Sequence, residues 1–302
     1  MISISEIKQV FRGRISLNEN LSPYTTFRIG GVADYYVEPV DAMDAVNIIN
    51  YAKSKDVPYY VMGNGSNVLI SDDGIRGIVV NLESGFSYLK YENGQIIAGA
   101  GAKIAKFVDF CIQNSYAGVE MLAGIPATVG GALVMNAGAY GGEISTNVVS
   151  VQVIKNGELK RQGKEECGFG YRSSNLRSTV VLEGVFKLPD GDPVEISRIR
   201  KELLLKRNAA QPVEIPNAGC IFKNPKDNYA AKLIEECGLK GKKSGGAMVS
   251  PKHANFIVNF DNATAEDVIK LVKVIRSTVM EKKGLSLELE VKLIGFEGVP
   301  VL

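Results

Sequence analysis

Residues 124–142 read Gly-Ile-Pro-Ala-Thr-Val-Gly-Gly-Ala-Leu-Val-Met-Asn-Ala-Gly-Ala-Tyr-Gly-Gly, the stretch of this chain whose residue types and spacing carry most chemistry. The segment is rich in Gly and has no charged side chain, so a ligand can lie against bare backbone. Its N–H groups can hold a pyrophosphate without Lys or Arg. A tight turn packed inside an ordinary α/β protein would leave the same pattern. A second glycine loop, Gly63-Asn64-Gly65-Ser66-Asn67, follows the apolar stretch Val57-Pro58-Tyr59-Tyr60-Val61-Met62. Two such loops in one chain point to a large nucleotide cofactor.

The common alternatives fail on spacing. The dinucleotide fingerprint G-x-G-x-x-G is not met at Gly63-Asn64-Gly65, because residue 68 is Val. Gly241-Lys242-Lys243-Ser244 lacks the hydroxyl directly after the first Lys and the Gly five residues earlier that a phosphate loop needs. The single histidine, His253, has no G-x-S-x-G elbow beside it. No register of His, Cys and carboxylates suggests a metal site. Cys111, Cys167, Cys220 and Cys237 lie far apart with no C-x-x-C pair, which removes zinc-ribbon and disulfide-framework readings. Cys111 and Cys237 fall on apolar helix faces and read as core.

The elements that must position these loops are legible from caps and periods. Asp41 precedes Ala42, Ala45, Val46 and Ile49 at helical spacing, and Lys103 to Ser115 stripes Ile104, Phe107, Val108, Cys111 and Ile112 on one face. Thr264-Ala265-Glu266-Asp267 has the form of a capping box, with Gly284 as the stop. Leu233, Ile234 and Cys237 mark a short helix ended by Gly238. Asn93-Gly94 and Asn156-Gly157 are hairpin signals, and Gly77–Val80 and Thr179–Leu182 read as strands. Hairpins mixed with helices predict an α+β fold. The 302 residues suggest two domains at roughly 150 residues each, and Pro189-Asp190-Gly191-Asp192-Pro193 is the best boundary, giving 1–190 and 191–302. A helix from about Glu195 to Arg207 would lead into the second domain.

Composition narrows the class. Hydrophobic residues make up 45%, enough for a core, and 35 basic against 33 acidic residues leave a net charge of +2, no footprint for DNA or RNA. No apolar run approaches the roughly 18 residues of a membrane span, and the first thirty residues hold no secretory apolar stretch. The expectation is a cytoplasmic protein with no obligate protein partner.

Five motifs then occur in order: Gly63–Asn67, Gly124-Ile125-Pro126 through Gly141, Tyr171-Arg172-Ser173, Ala218-Gly219-Cys220-Ile221-Phe222-Lys223-Asn224-Pro225, and Leu289-Glu290-Val291. The chain thereby closely resembles the UDP-N-acetylenolpyruvoylglucosamine reductase family, from Thr25-Thr26-Phe27-Arg28-Ile29-Gly30-Gly31 to Ile294-Gly295. The resemblance implies an FAD-binding region of the vanillyl-alcohol-oxidase type, built of two α+β subdomains, and a C-terminal α+β substrate domain. It implies bacterial peptidoglycan precursor synthesis, with FAD held non-covalently, NADPH as reductant and UDP-N-acetylglucosamine enolpyruvate as substrate. Hydride passes from flavin N5 to C3 of the enolpyruvyl group, and a proton reaches C2.

The resemblance also implies the roles. Arg172, whose planar fork matches a carboxylate, would stabilise the charge that develops on the substrate, although alone it reads equally as a surface Arg after a strand. Glu290 would be the second acid, with a raised pKa and a shared proton beside another carboxylate; alone it reads as a solvated residue on the alternating strand Leu287–Val291. Cys220 stands where the family's proton donor belongs and where many members carry Ser. A thiol titrates near about 8.5, so activity should fall in alkali as Cys220 ionises. Without the family it reads as a buried structural Cys.

For FAD the implied residues are Gly63, Asn64, Gly65, Ser66 and Asn67, then Gly124, Ile125, Pro126, Ala127, Thr128, Gly130, Gly131, Asn136, Ala137 and Gly138, with Val180 against the ring and Arg207 nearby. For the UDP-sugar they are Tyr140, Gln211, Asn224, Lys240 and His253. No metal is implied. The family usually has Gly where this chain has Ala127. The short stretch between the Val180 strand and the next helix matches the subtype that lacks a tyrosine-bearing loop. Two other readings stay open at this level: a different flavin oxidase on the same fold, and a nucleotide-sugar-binding regulator without turnover.

Overall fold

Two hydrophobic cores organise the chain, and the computed structural model describes residues 3–296. One compact unit comprises Met1–Leu17, Tyr35–Asn64 and Gly77–Lys206; the other comprises Asn18–Asp34, Gly65–Arg76 and Arg207–Leu302. Helices and antiparallel hairpins mix in both, as expected for α+β. No helix among the described residues is long and apolar enough to cross a membrane.

In the first unit, α1 (Ile4–Val10) starts at a Ser3–Glu6 capping box, and α2 (Ala42–Ser54) starts at Asp41, whose carboxylate accepts from Asp44 N–H. A four-stranded sheet runs in the order β1 (Arg14–Asn20), β2 (Val32–Glu38), β5 (Ile75–Asn81), β3 (Tyr59–Met62). An antiparallel five-stranded sheet follows in the order β11 (Glu158–Gly163), β10 (Val148–Lys155), β12 (Val180–Phe186), β7 (Gln95–Gly99), β6 (Leu89–Glu92). Both Asn-Gly pairs make its hairpin turns: Asn93 and Gly94, like Asn156 and Gly157, all have positive φ, the geometry that follows strand twist. Helix α3 (Ile104–Gln113) buries the stripe read from sequence, and α4 (Val129–Met135) starts at Thr128. The short β8 (Gly138–Ala139) and β9 (Gly142–Glu143) form a tight hairpin. Phe107 and Phe186 stack at 4.8 Å inside this core.

By contact the first unit runs on past 189–193 to Lys206, and the second resumes at Arg207, inside α5 (Pro193–Ala210). The Pro-Asp-Gly-Asp-Pro stretch is fastened to the first unit: Ala117 N–H donates to Pro189 O at 2.9 Å, Gly191 N–H to Ser115 O at 2.8 Å, and Ile196 is buried in that core. Turn residues here mark a packed corner.

The second unit pairs distant segments. β4 (Val68–Ile70) lies parallel to β17 (Lys292–Ile294), and a second sheet runs β13 (Asn217–Cys220), β16 (Phe256–Asn259), β15 (Ala247–Val249), β14 (Lys243–Ser244). Thr26 exchanges backbone and side-chain bonds with Asn217, and Asn259 Nδ2 donates to Phe27 O at 3.1 Å. Helix α6 (Ala230–Glu236) ends at Gly238, and α7 (Ala265–Lys283) runs from its capping box to Gly284 in the left-handed region. Asp72 adds an external cap to α7, its two oxygens accepting from Ala265 N–H at 2.8 Å and Glu266 N–H at 3.0 Å. The alternating stretch Leu287–Val291, expected as a strand, is irregular and keeps one bridge, Leu289 to Phe222; its alternation reflects burial of Leu287 and Val291.

Candidate active site

In the first unit the two glycine-rich segments meet. Asn64 Nδ2 donates to Pro126 O at 2.7 Å, and Lys103 Nζ donates to Asn64 Oδ1 at 3.2 Å. A Cβ on Gly63 would stand 2.2 Å from Thr128 Oγ1, so the approach requires Gly. Thr128 Oγ1 caps α4 by accepting from Gly131 N–H at 3.3 Å. Gly130 packs on Ala100, which a Cβ would meet at 2.7 Å, whereas a Cβ on Gly131 would find only Thr128 Oγ1, at 3.5 Å. Gly131 therefore leaves open surface, and Gly130 serves packing. Ala127 has no positive φ, so its methyl is accommodated without backbone strain.

The hydrogen bonds divide labour between the segments. Ile125, Ala127, Val129, Gly130, Asn136 and Ala137 all donate their N–H groups to chain carbonyls, whereas the buried Thr128 N–H reaches no acceptor among the described residues. In the second unit, the N–H groups of Gly65, Ser66 and Asn67 likewise reach no acceptor among the described residues, and Gly65 is buried with φ of 59°. Buried backbone donors are ordinarily paired, so an orphan of this kind calls for an acceptor from outside the chain. Phosphate oxygens of a dinucleotide cofactor fit that demand.

Asn136, Ala137 and Gly138 follow directly. Asn136 is wholly buried, at 0% exposure; its amide nitrogen serves Glu143 and Gly170 O, and its Oδ1 has no partner among the described residues. Val180 is buried at the start of β12. Tyr140, half exposed, sits with Gly141 at the positive-φ tip of the β8–β9 hairpin. Arg172 sits in a turn closed by mutual Gly170–Ser173 backbone bonds, lies 5.3 Å over the Tyr171 ring, and donates Nη2 to Gly138 O at 2.8 Å.

In the second unit Cys220 ends β13, after Gly219 with φ of 76°. Ile221 joins two partners: its N–H donates to Asn255 O at 2.8 Å, and its carbonyl accepts Glu290 N–H at 2.8 Å. The buried Asn255 side chain grips Phe222 at both ends, accepting from its N–H at 3.0 Å and donating to its carbonyl at 2.8 Å. The Cys220 and Glu290 segments thus cross at Ile221, with both residues half-buried. Asn224 is exposed, and its Oδ1 accepts from Ala230 N–H at 3.0 Å, a helix-starting task for α6. Lys240 pairs with Glu235 at 2.6 Å. Burial, helped by the Lys240 charge, holds His253 below the ordinary imidazole range and so neutral at neutral pH; its ring stands edge-on to Phe256 at 4.8 Å. Gln211 carries a buried Oε1 with no partner among the described residues, and Arg207 is half-buried in the last turn of α5. Asn255, Glu235 and Lys103 escaped sequence reasoning, because nothing in a lone Asn, Glu or Lys announces which distant group it meets.

All four cysteines are thiols, and Cys220 alone is not buried. Burial pushes the Cys111 thiol up, and that of Cys167 to about 11. Iodoacetamide near about pH 8 is therefore expected to label Cys220 selectively, since thiolate and access are both needed. Peptide mass mapping checks it; equal labelling of Cys111 would overturn it.

Comparison with known proteins agrees with this geometry. Residues 33–162 match the family model of the FAD-binding domain, which makes the chain an FAD-binding protein on an α+β scaffold. Residues 211–294 match the C-terminal domain of UDP-N-acetylenolpyruvoylglucosamine reductase. Reductases of that name from Chloroherpeton thalassium and Geobacillus thermodenitrificans are 42% and 44% identical, the first aligning over 98% of both chains and the second over 93%. The crystal structure of UDP-N-acetylenolpyruvylglucosamine reductase from Thermus caldophilus superposes with a TM-score of 0.80 at 37% identity, covering 94% of this chain and 99% of that one. The chain belongs to the UDP-N-acetylenolpyruvoylglucosamine reductase family, whose members are FAD-containing oxidoreductases.

Proposed function

We propose that the protein reduces UDP-N-acetylglucosamine enolpyruvate to UDP-N-acetylmuramate in the cytoplasm, with NADPH as reductant. The crossing of the Cys220 and Glu290 segments at Ile221 supports this reading, because it brings a proton-donating thiol and a carboxylate into one substructure from positions seventy residues apart. Bound FAD, reduced by NADPH, supplies the hydride that C3 of the enolpyruvyl group receives. In the first unit the Thr128 N–H would take a phosphate oxygen of the cofactor, and in the second unit the Gly65–Asn67 N–H groups offer donors of the same kind. Arg172 binds the substrate carboxylate and stabilises the charge that develops there. Cys220 Sγ–H delivers the proton to C2, and Glu290 assists as the second acid. Lys240, released from Glu235, and the neutral His253 receive the diphosphate and sugar, with Tyr140 as an exposed partner.

Anaerobic NADPH is expected to bleach the flavin absorbance of the purified protein, and the enolpyruvyl substrate to restore it. Denaturation should release free FAD. Bleaching without recovery would overturn the substrate assignment, and absence of bleaching would overturn the reductant.

A further inference from the structure

Arg172 has φ of 50°, a left-handed conformation that is unfavourable for a non-glycine residue. It occupies the later position of the Tyr171–Arg172 turn, where Gly or Asn is usual. Something must hold it there. Gly170 and Ser173 close the turn by exchanging N–H···O bonds at 3.0 and 3.1 Å, and Ser174 Oγ donates to Val134 O at 2.7 Å. Arg177 Nη2 donates to Arg172 O at 2.5 Å, and from the interior Asn136 Nδ2 donates to Gly170 O at 3.0 Å.

The same Nδ2 donates to Glu143 Oε2 at 2.7 Å, and Glu143 lies directly opposite Gly138 across the β8–β9 hairpin. Gly138 O is the acceptor of the Arg172 guanidinium, at 2.8 Å. That hairpin is closely drawn in, since a Cβ on Gly138 would meet Gly142 O at 2.3 Å. One wholly buried amide, itself left-handed with φ of 44°, therefore ties down the turn that carries the Arg172 backbone and the hairpin that receives its guanidinium.

We infer that Asn136 is a positioning residue of Arg172: through its amide nitrogen it orients the carboxylate-binding guanidinium from both ends. The inference rests on the proposed role of Arg172, and the experiment separates the two. Three quantities are measured on the holoenzyme: FAD per chain, the rate of flavin reduction by NADPH, and the rate at which the enolpyruvyl substrate reoxidises the flavin. Asn136→Ala is expected to keep the first two and to slow reoxidation about 100-fold, the effect of a misplaced reacting group. Arg172→Ala should slow the same step at least as much. The double variant should be no slower than Arg172→Ala, because Asn136 acts through Arg172.

Reoxidation at the parent rate in Arg172→Ala would remove the proposed role of Arg172. Slow reoxidation there, with a parent-like Asn136→Ala, would overturn the inference alone. So would effects that multiply in the double variant, or flavin lost in proportion to activity. If Asn136→Ala does not fold, Asn136→Ser, which keeps one donor, carries the same measurements.

Discussion

Cys220→Ala is expected to slow reoxidation of the reduced flavin by the enolpyruvyl substrate about 1,000-fold, equal to ~4 kcal/mol of barrier, while NADPH still bleaches the flavin at the parent rate. The methyl group leaves C2 without its acid, yet nothing in the phosphate-binding backbone changes. Cys220→Ser keeps an O–H at the same place and should fall by no more than about tenfold. It should also lose the alkaline decline in turnover, since a hydroxyl does not ionise where a thiol does. Stopped-flow reoxidation against pH checks both variants. A Cys220→Ala enzyme at the parent rate would assign the proton to another group.

The second large effect concerns stability. Asp44, in the first turn of α2, is wholly buried, and its carboxylate accepts three backbone N–H groups: Arg12 at 2.8 Å, Gly13 at 3.0 Å and Val40 at 3.1 Å. It also approaches Arg12 Nε at 3.8 Å. Asp44→Ala is expected to destabilise the first unit by about 3–5 kcal/mol, because three donors lose a charged acceptor that water cannot easily replace. Urea unfolding followed by flavin release and circular dichroism measures it. A shift below about 1 kcal/mol would show that solvent reaches the site and takes over the bonds.

What the sequence made legible was local. Asp41, Thr264 with Asp267, Gly284 and the two Asn-Gly turns act through groups two to five residues away, so caps and hairpins were readable directly. Gly63 and Gly130 were readable as close approaches, though not that one faces Thr128 and the other Ala100. The long-range pairings were hidden. Nothing in Thr26 or Asp72 says that Asn217 or the start of α7 will be its partner, so the boundary at 189–193 came from turn residues alone. Asn136 and Asn224 lie in glycine- or proline-marked motifs and were read as ligand contacts. In the structure the Asn136 amide nitrogen serves Glu143 and Gly170 and the Asn224 carbonyl serves a helix start, support that leaves the Asn136 Oδ1 open to a ligand.

The interleaving of the two units has a consequence for synthesis. Strand β4 emerges from the ribosome long before its parallel partner β17. Strand β4 must therefore wait for this pairing until β17 has been translated, even while β1, β2 and β5 pair among themselves. A fragment beginning at Arg207 would lack β4 and the Asp72 cap and so would not fold alone.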